Sequence, residues 1–234
     1  MRVYQFLLVL LMASVAGMCR ADGVQVQAQI HLVYPEASKA ASHPVSSNVV
    51  LWLNAVSAAA GDPVVPAHFR MEQKNKSFNP HLLVVPLGST VDFPNRDPFF
   101  HNVFSQFNGK RFDLGLYEAG STKGVRFDHE GISYLFCNIH PEMGAVIVTL
   151  ATPYYGLSNG SGTVTLRDVP PGSYEMHVWT EGADAKTLEA LTRQVRISES
   201  QNDLGSIQIV ASKRAAPHKN KFGNDYAPER PTQY

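Results

Sequence analysis

Two β-sandwiches with almost no helix is the fold class this sequence predicts, and three observations predict it. Short runs rich in Val, Ile, Leu, Phe, Tyr and Trp recur along residues 24–210, the composition that suits a pleated, half-buried surface. Gly, Pro, Asn and Asp punctuate those runs at short intervals, each favouring a turn for its own steric or hydrogen-bonding reason. Only residues 183–192 compete as a helix, and their apolar positions keep helical spacing poorly.

Taken in order, residues 24–32 read Val-Gln-Val-Gln-Ala-Gln-Ile-His-Leu, the alternation of a strand with one buried face. Residues 48–56 are dense in Val, Leu and Trp and read as a second strand. Further strands are expected at 66–72, 82–86, 90–93, 102–105, 124–127, 132–136 and 145–150. Gly88-Ser89, residues 95–98, Asn108-Gly109 and Glu130-Gly131 supply turns between them. After Pro153 come strands at 162–166, 174–180, 191–197 and 205–210, broken by Pro170-Pro171-Gly172. Short strands at such intervals make sandwiches, and the folded length suits two of them.

The chain ends bound the setting. Arg2 precedes an apolar stretch over residues 6–15, followed by Ala-Gly-Met-Cys-Arg-Ala, the charged, apolar and small-residue regions of a secretory signal peptide. The apolar run is too short to span a bilayer. Cleavage after Ala21 predicts a periplasmic or otherwise secreted chain of residues 22–234 with no transmembrane segment. That chain keeps one cysteine, Cys137, although exported proteins usually pair theirs. Residues 22–212 carry a net charge of −5, which argues against a nucleic-acid partner. Residues 213–234 are basic, rich in Pro, Asn and Lys, without apolar periodicity, and are expected to be a disordered tail.

An unpaired exported thiol calls for a reason, and its neighbours supply one. Residues 137–143 read Cys-Asn-Ile-His-Pro-Glu-Met, and upstream His101 lies in Phe-Pro-Asn-Arg-Asp-Pro-Phe-Phe-His-Asn-Val-Phe. A thiolate, two imidazoles and a thioether are the donors of a mononuclear blue-copper centre. His101, Cys137 and His140 would form its trigonal plane, with Met143 as a long axial ligand. Cys-x-x-His-x-x-Met brings three donors onto one ion only if a strand ends at the Cys and a tight loop follows; Pro141 supplies that turn. The alternative is an inert buried cysteine. Phe93, Phe99, Phe100 and Phe136 would keep the site dry, although plain core explains them equally.

The remaining candidates have weaker spacing. Glu142 could stand in for Met143, and His81 could be a fifth donor, although a structural or surface role suits it better. His129 belongs to an Asp-His-Glu-Gly turn. His31, His43, His68, His177 and His218 have no partner at ligand spacing. The sequence carries no Ser-His-Asp set, phosphate loop or Cys-x-x-Cys motif, and an oxidase or nitrite reductase is disfavoured because one chain offers no second metal cluster of histidines.

The stretch 63–152 resembles the cupredoxin family, most closely amicyanin in its short Cys-x-x-His-Pro-x-Met loop. The match extends through Phe78-x-Pro80, Val85-x-x-Gly88-Ser-Thr-Val91-x-Phe93-x-Asn95 and His101-Asn102-Val103. Around that core, Phe-Pro-Asn-x-Asp, His-Asn-Val-Phe-Ser, Cys-Asn-Ile-His and Pro-Pro-Gly-x-Tyr resemble periplasmic cupredoxin-domain proteins labelled methylamine utilization proteins. Val169-Pro-Pro-Gly-Ser-Tyr174 looks like the hairpin of a transthyretin-like, carboxypeptidase-regulatory sandwich.

The resemblance implies a Greek-key cupredoxin over 63–152, inserted in an outer sandwich built from 22–62 and 153–212; a simple tandem is the other arrangement. It also implies that Asn102 ties the first-ligand strand to the Cys loop and that His140 is the electron port. The function it implies is single-electron transfer between redox partner proteins through one copper ion. Copper storage, delivery or sensing, and an envelope interaction module with a vestigial site, are the other readings.

Overall fold

The structure is a computed structural model that describes residues 23–35, 47–57, 62–106, 109–212 and 218–226. The expected signal peptide, His43, Asn108 and both ends of the basic tail lie outside the described residues. No helix among the described residues is long and apolar enough to cross a membrane.

In chain order the first strands are β1 (Val24–Val33), β2 (Val50–Ala55), β3 (His68–Arg70), β4 (Glu72–Gln73), β5 (Phe78–Asn79) and β6 (Leu82–Pro86). They continue as β7 (Thr90–Pro94), β8 (His101–Ser105), β9 (Phe112–Tyr117), β10 (Thr122–Arg126), β11 (Gly131–Phe136) and β12 (Gly144–Leu150). The last are β13 (Tyr155–Leu157), β14 (Thr163–Val169), β15 (Gly172–Trp179), β16 (Arg193–Ile197) and β17 (Asp203–Val210). Between β15 and β16 the helical contender forms α1 (Ala185–Leu191), capped by the Asp184 carboxylate, which accepts from Thr187 N.

The principal sheets stack in four layers, and side-chain alternation shows why. β14-β1-β17 is the first sheet, β13-β2-β15-β16 the second, β6-β12-β11-β8-β9 the third and β10-β7-β3 the fourth. Along β2, Leu51 and Leu53 enter the core shared with β1, while Val50 and Trp52 point to the opposite face. Along β12, Ala145 and Ile147 enter the core behind Cys137, while Val146, Val148 and Leu150 pack towards Val50 and Trp179. A strand alternates faces at every residue, so a strand that is apolar at every position must be covered on both. That accounts for the unbroken run Ala145-Val-Ile-Val-Thr-Leu150.

The strands before residue 57 and after residue 153 belong together. β1 pairs antiparallel with β14 and parallel with β17, and β2 pairs with β13 and β15. The chain leaves this pair of sheets, forms β3 to β12, and returns. His81 and Glu181 clasp the junction: Glu181 Oε2 lies 2.7 Å from His81 Nε2, while His81 Nδ1 lies 3.0 Å from Gly144 O.

Two sequence expectations need correction here. No strand is expected over residues 106–123, yet β9 forms there, its apolar residues interrupted by Asp113 and Gly115. Gly115 takes φ +66°, and the β8–β9 pairing slips between Asn102 and Phe104, so a bulge absorbs the interruption. The tail expected to be disordered packs against the third sheet over residues 218–226. The His218 ring stacks on Phe136 with centroids 4.1 Å apart, and the Tyr226 hydroxyl donates to the Cys137 carbonyl at 2.8 Å. Low overall hydrophobicity concealed two aromatic anchors.

Candidate metal centre

Sheet pairing brings His101 and Cys137 together. β8 and β11 are antiparallel neighbours through Phe104 and Phe136. His101 opens β8, and Cys137 follows the last residue of β11. The loop to β12 is closed by its own backbone: Cys137 N donates to Met143 O (3.2 Å) and Met143 N to His140 O (3.1 Å). The turn containing Pro141 and Glu142, both exposed, folds His140 back under Cys137.

Three donor atoms converge. Cys137 Sγ lies 3.8 Å from His101 Nδ1 and 3.6 Å from His140 Nδ1, and the two Nδ1 atoms are 3.2 Å apart. The point equidistant from the corners of that triangle lies about 2 Å from each, the length of a bond from a transition metal to nitrogen or sulfur. His101, Cys137 and His140 are thus a buried group able to hold a metal ion. Cys137 and His101 are 0% exposed and His140 9%. Met143 is buried in the same apolar cluster as Cys137.

The far side of His101 is fixed by a residue that the sequence reading treated as part of a turn. His101 Nε2 lies 2.8 Å from Asp97 Oδ2, and both side chains are buried. Asp97 Oδ1 accepts from Asn75 N (2.7 Å) and Oδ2 from Lys76 N (2.9 Å). Burial alone would raise the Asp97 pKa, but the hydrogen bonds from Lys76, His101 and Asn75 outweigh it and hold the carboxyl below its ordinary value. An ionised Asp97 places the imidazole proton on Nε2 and turns the Nδ1 lone pair towards Cys137, as a carboxylate behind a ligating histidine does. The available signal was a carboxylate four residues ahead of the candidate ligand.

The expected supporting residues are placed unequally. Phe93 is fully buried in the core with Cys137. The Phe99 ring packs against both imidazoles, at 5.2 Å from His101 and 5.6 Å from His140. Phe100 is 54% exposed and stands at the surface. Phe136 lies between Phe104 and His218. Asn102 differs from its expected role: its amide donates to Asp113 Oδ1 (2.7 Å) and Gly115 O (3.0 Å) on β9, not to the Cys137 loop. His129 pairs with Asp128, and His177 stacks on Trp52. His81 stays in its junction clasp, apart from the donor group.

No family profile matches the chain, and no curated protein matches it. Solved structures do. A purple cupredoxin from Nitrosopumilus maritimus is 23% identical over 35% of this chain and 99% of its own, with a TM-score of 0.32. A reduced Cu(I) form of an amicyanin variant is 21% identical over 43% of this chain and 98% of its own, with a TM-score of 0.34. A copper-containing nitrite reductase from Thermus scotoductus is 24% identical over 38% of this chain and 25% of its own, with a TM-score of 0.34. Over 35–43% of its length, this chain is similar to cupredoxins.

Proposed function

We propose that His101, Cys137, His140 and Met143 hold one copper ion, and that the protein carries single electrons between redox partner proteins outside the cytoplasm. In this reading residues 63–152 hold the metal, and the flanks 22–62 and 153–212 form its scaffold. The observation that carries it is the buried triangle of one cysteine sulfur and two imidazole nitrogens. That donor set suits both copper oxidation states, and Met143 on the same loop would add a weak thioether.

Bound copper supplies the one-electron Cu(I)/Cu(II) couple; the chain supplies geometry and access. Asp97 and the closed 137–143 loop hold the donors in place, so little rearranges when charge changes. Burial of Cys137 and His101 keeps substrates away from the donors, which favours electron passage over catalysis. Electrons enter and leave beside His140, where the exposed side chains of Phe99 and Ile139 form an apolar docking rim.

Voltammetry of copper-loaded protein tests this. A reversible one-electron wave is expected, with Met143→Leu keeping the metal and moving the wave to higher potential. Loss of copper on each redox cycle would make the protein a store or delivery factor instead.

A further inference from the structure

The strands carrying His101 and Cys137 meet side by side, yet Asn102, the residue expected to tie them, reaches only β9. Its amide donates to Asp113 Oδ1. The other Asp113 oxygen accepts from Lys221 Nζ at 2.7 Å. Lys221 N in turn donates to Asn138 Oδ1 at 3.0 Å, directly after Cys137. The missing tie is therefore present, routed through a residue of the C-terminal segment.

The same segment grips the loop at further points. The Tyr226 hydroxyl donates to Cys137 O at 2.8 Å, and His218 Nδ1 lies 3.2 Å from that hydroxyl. With the hydroxyl proton committed to the carbonyl, the imidazole donates to Tyr226. His218 stacks on Phe136, the residue before Cys137. Gln106 Nε2 donates to Lys221 O at 2.6 Å, anchoring the segment just beyond β8. Within the segment, Asn220 Oδ1 accepts from Phe222 N and Asn224 N and sets the turn that presents Lys221.

We propose that residues 218–226 form a strap that positions the metal donors, with Lys221 joining Asp113 to Asn138 and Tyr226 holding the Cys137 carbonyl. This rests on the proposed metal site but does not need the metal to be tested. Lys221, His218 and Tyr226 act through Asp113, Phe136 and Cys137, and touch no donor atom themselves. Each contact spans a long sequence separation, 108 residues for Lys221 to Asp113 and 89 for Tyr226 to Cys137. The strap therefore joins elements that local structure leaves unconnected.

The test compares wild type with Tyr226→Phe, Lys221→Met and the double variant, all in the full chain. In metal-free protein, hydrogen exchange at the amides of Cys137 and Met143 is expected to quicken about 5-fold in Tyr226→Phe, the factor one neutral hydrogen bond supplies. The double variant should exceed either single one. In copper-loaded protein, the same variants should lose Cu(I) to a chelator faster and shift the sulfur-to-copper absorption band, with the thermal unfolding midpoint lowered by only about 2–4 °C. Exchange at Cys137 and Met143 identical to wild type in the double variant would overturn the strap. If instead exchange quickens while wild type takes up no coloured copper, the strap stands and the copper reading fails.

Discussion

The two sandwiches use the same element and bury it equally well, yet their interiors differ in kind. Between β1, β14 and β17 on one side and β2 and β15 on the other, the core is a continuous apolar layer that includes Val26, Ile30, Leu51, Met176 and Ile209. Its neighbourhood buries hydroxyl side chains, Thr152, Ser158 and Thr180. The inner sandwich buries Gln73, Asn95, Asp97, His101, Asn102 and His140. Burying such groups costs stability unless each finds a partner; Asn95, Asp97 and His101 partner one another beside Cys137, while the Asn102 amide turns to Asp113 and Gly115. Asn95 Oδ1 accepts from Asp97 N, Asp97 holds His101, and Gln73 donates to the Tyr117 hydroxyl. The outer core is a matter of apolar fit, whereas the inner one gives up apolar burial to bring His101, Cys137 and His140 together.

The largest expected effect comes from the layer that joins the two. Trp179 is 5% exposed and packs with Val50, Leu82 and Val148 between the sandwiches. Trp179→Ala should cost about 3 kcal/mol, the usual range for a buried aromatic truncated to Ala, and chemical denaturation should show both sandwiches weakened together. Independent unfolding, with only the outer sandwich affected, would show the joint layer to be incidental. For the same reason a fragment of residues 63–152 should aggregate, because it bares Leu82, Val84, Val146, Val148 and Leu150.

A smaller effect sharpens the contrast inside the inner sandwich. Asp97→Asn removes the negative charge behind His101 while keeping the side-chain shape. Metal affinity should fall about 10-fold, as on loss of a carboxylate partner to a ligating histidine. The reduction potential should rise, because Cu(II) loses more stabilisation than Cu(I). Titration and voltammetry unchanged from wild type would reduce Asp97 to a turn residue.

The smallest effect lies at the junction clasp. The hydrogen bond to Glu181 is the main cause of a raised His81 pKa, so its stabilisation is complete below the ordinary value of 6.5 and is lost as pH rises through the raised value. The bond to His81 is likewise the main cause of a lowered Glu181 pKa, so that contribution is present above 4.5 and is lost as pH falls through the lowered value. The clasp is therefore fully formed between those two ordinary values. Both side chains are nearly half exposed, so Glu181→Gln should cost only about 0.5 kcal/mol there. That cost should vanish towards alkaline pH; a deficit that does not change with pH would remove the ion pair as its cause.

Most strands were legible because alternation and turn residues are local signals, and so were His101, Cys137, His140 and Met143 as candidates, because donor type and spacing are local too. β9 was not, since a bulge at Gly115 hides its period. Asp97 was not, because its partner His101 is identified only once the turn between β7 and β8 closes. The apolar faces of β6 and β12 could be read as buried, but not against what: Trp179 and Val50 come from distant segments. The strap was concealed most completely. His218, Lys221 and Tyr226 lie in a polar, proline-bearing stretch, and their partners Phe136, Asp113, Asn138 and Cys137 become neighbours only through sheet order.

On the proposed reading, the inner sandwich presents the Cys137 sulfur and the His101 and His140 imidazoles to copper. A visible absorption spectrum of Cu(II)-loaded protein tests it most directly, measured beside Cys137→Ser. The wild type should show an intense sulfur-to-copper charge-transfer band at one copper per chain. Cys137→Ser should lose the band while keeping its far-ultraviolet β signature. A colourless copper-loaded wild type, or a serine variant that keeps the band, would contradict the account.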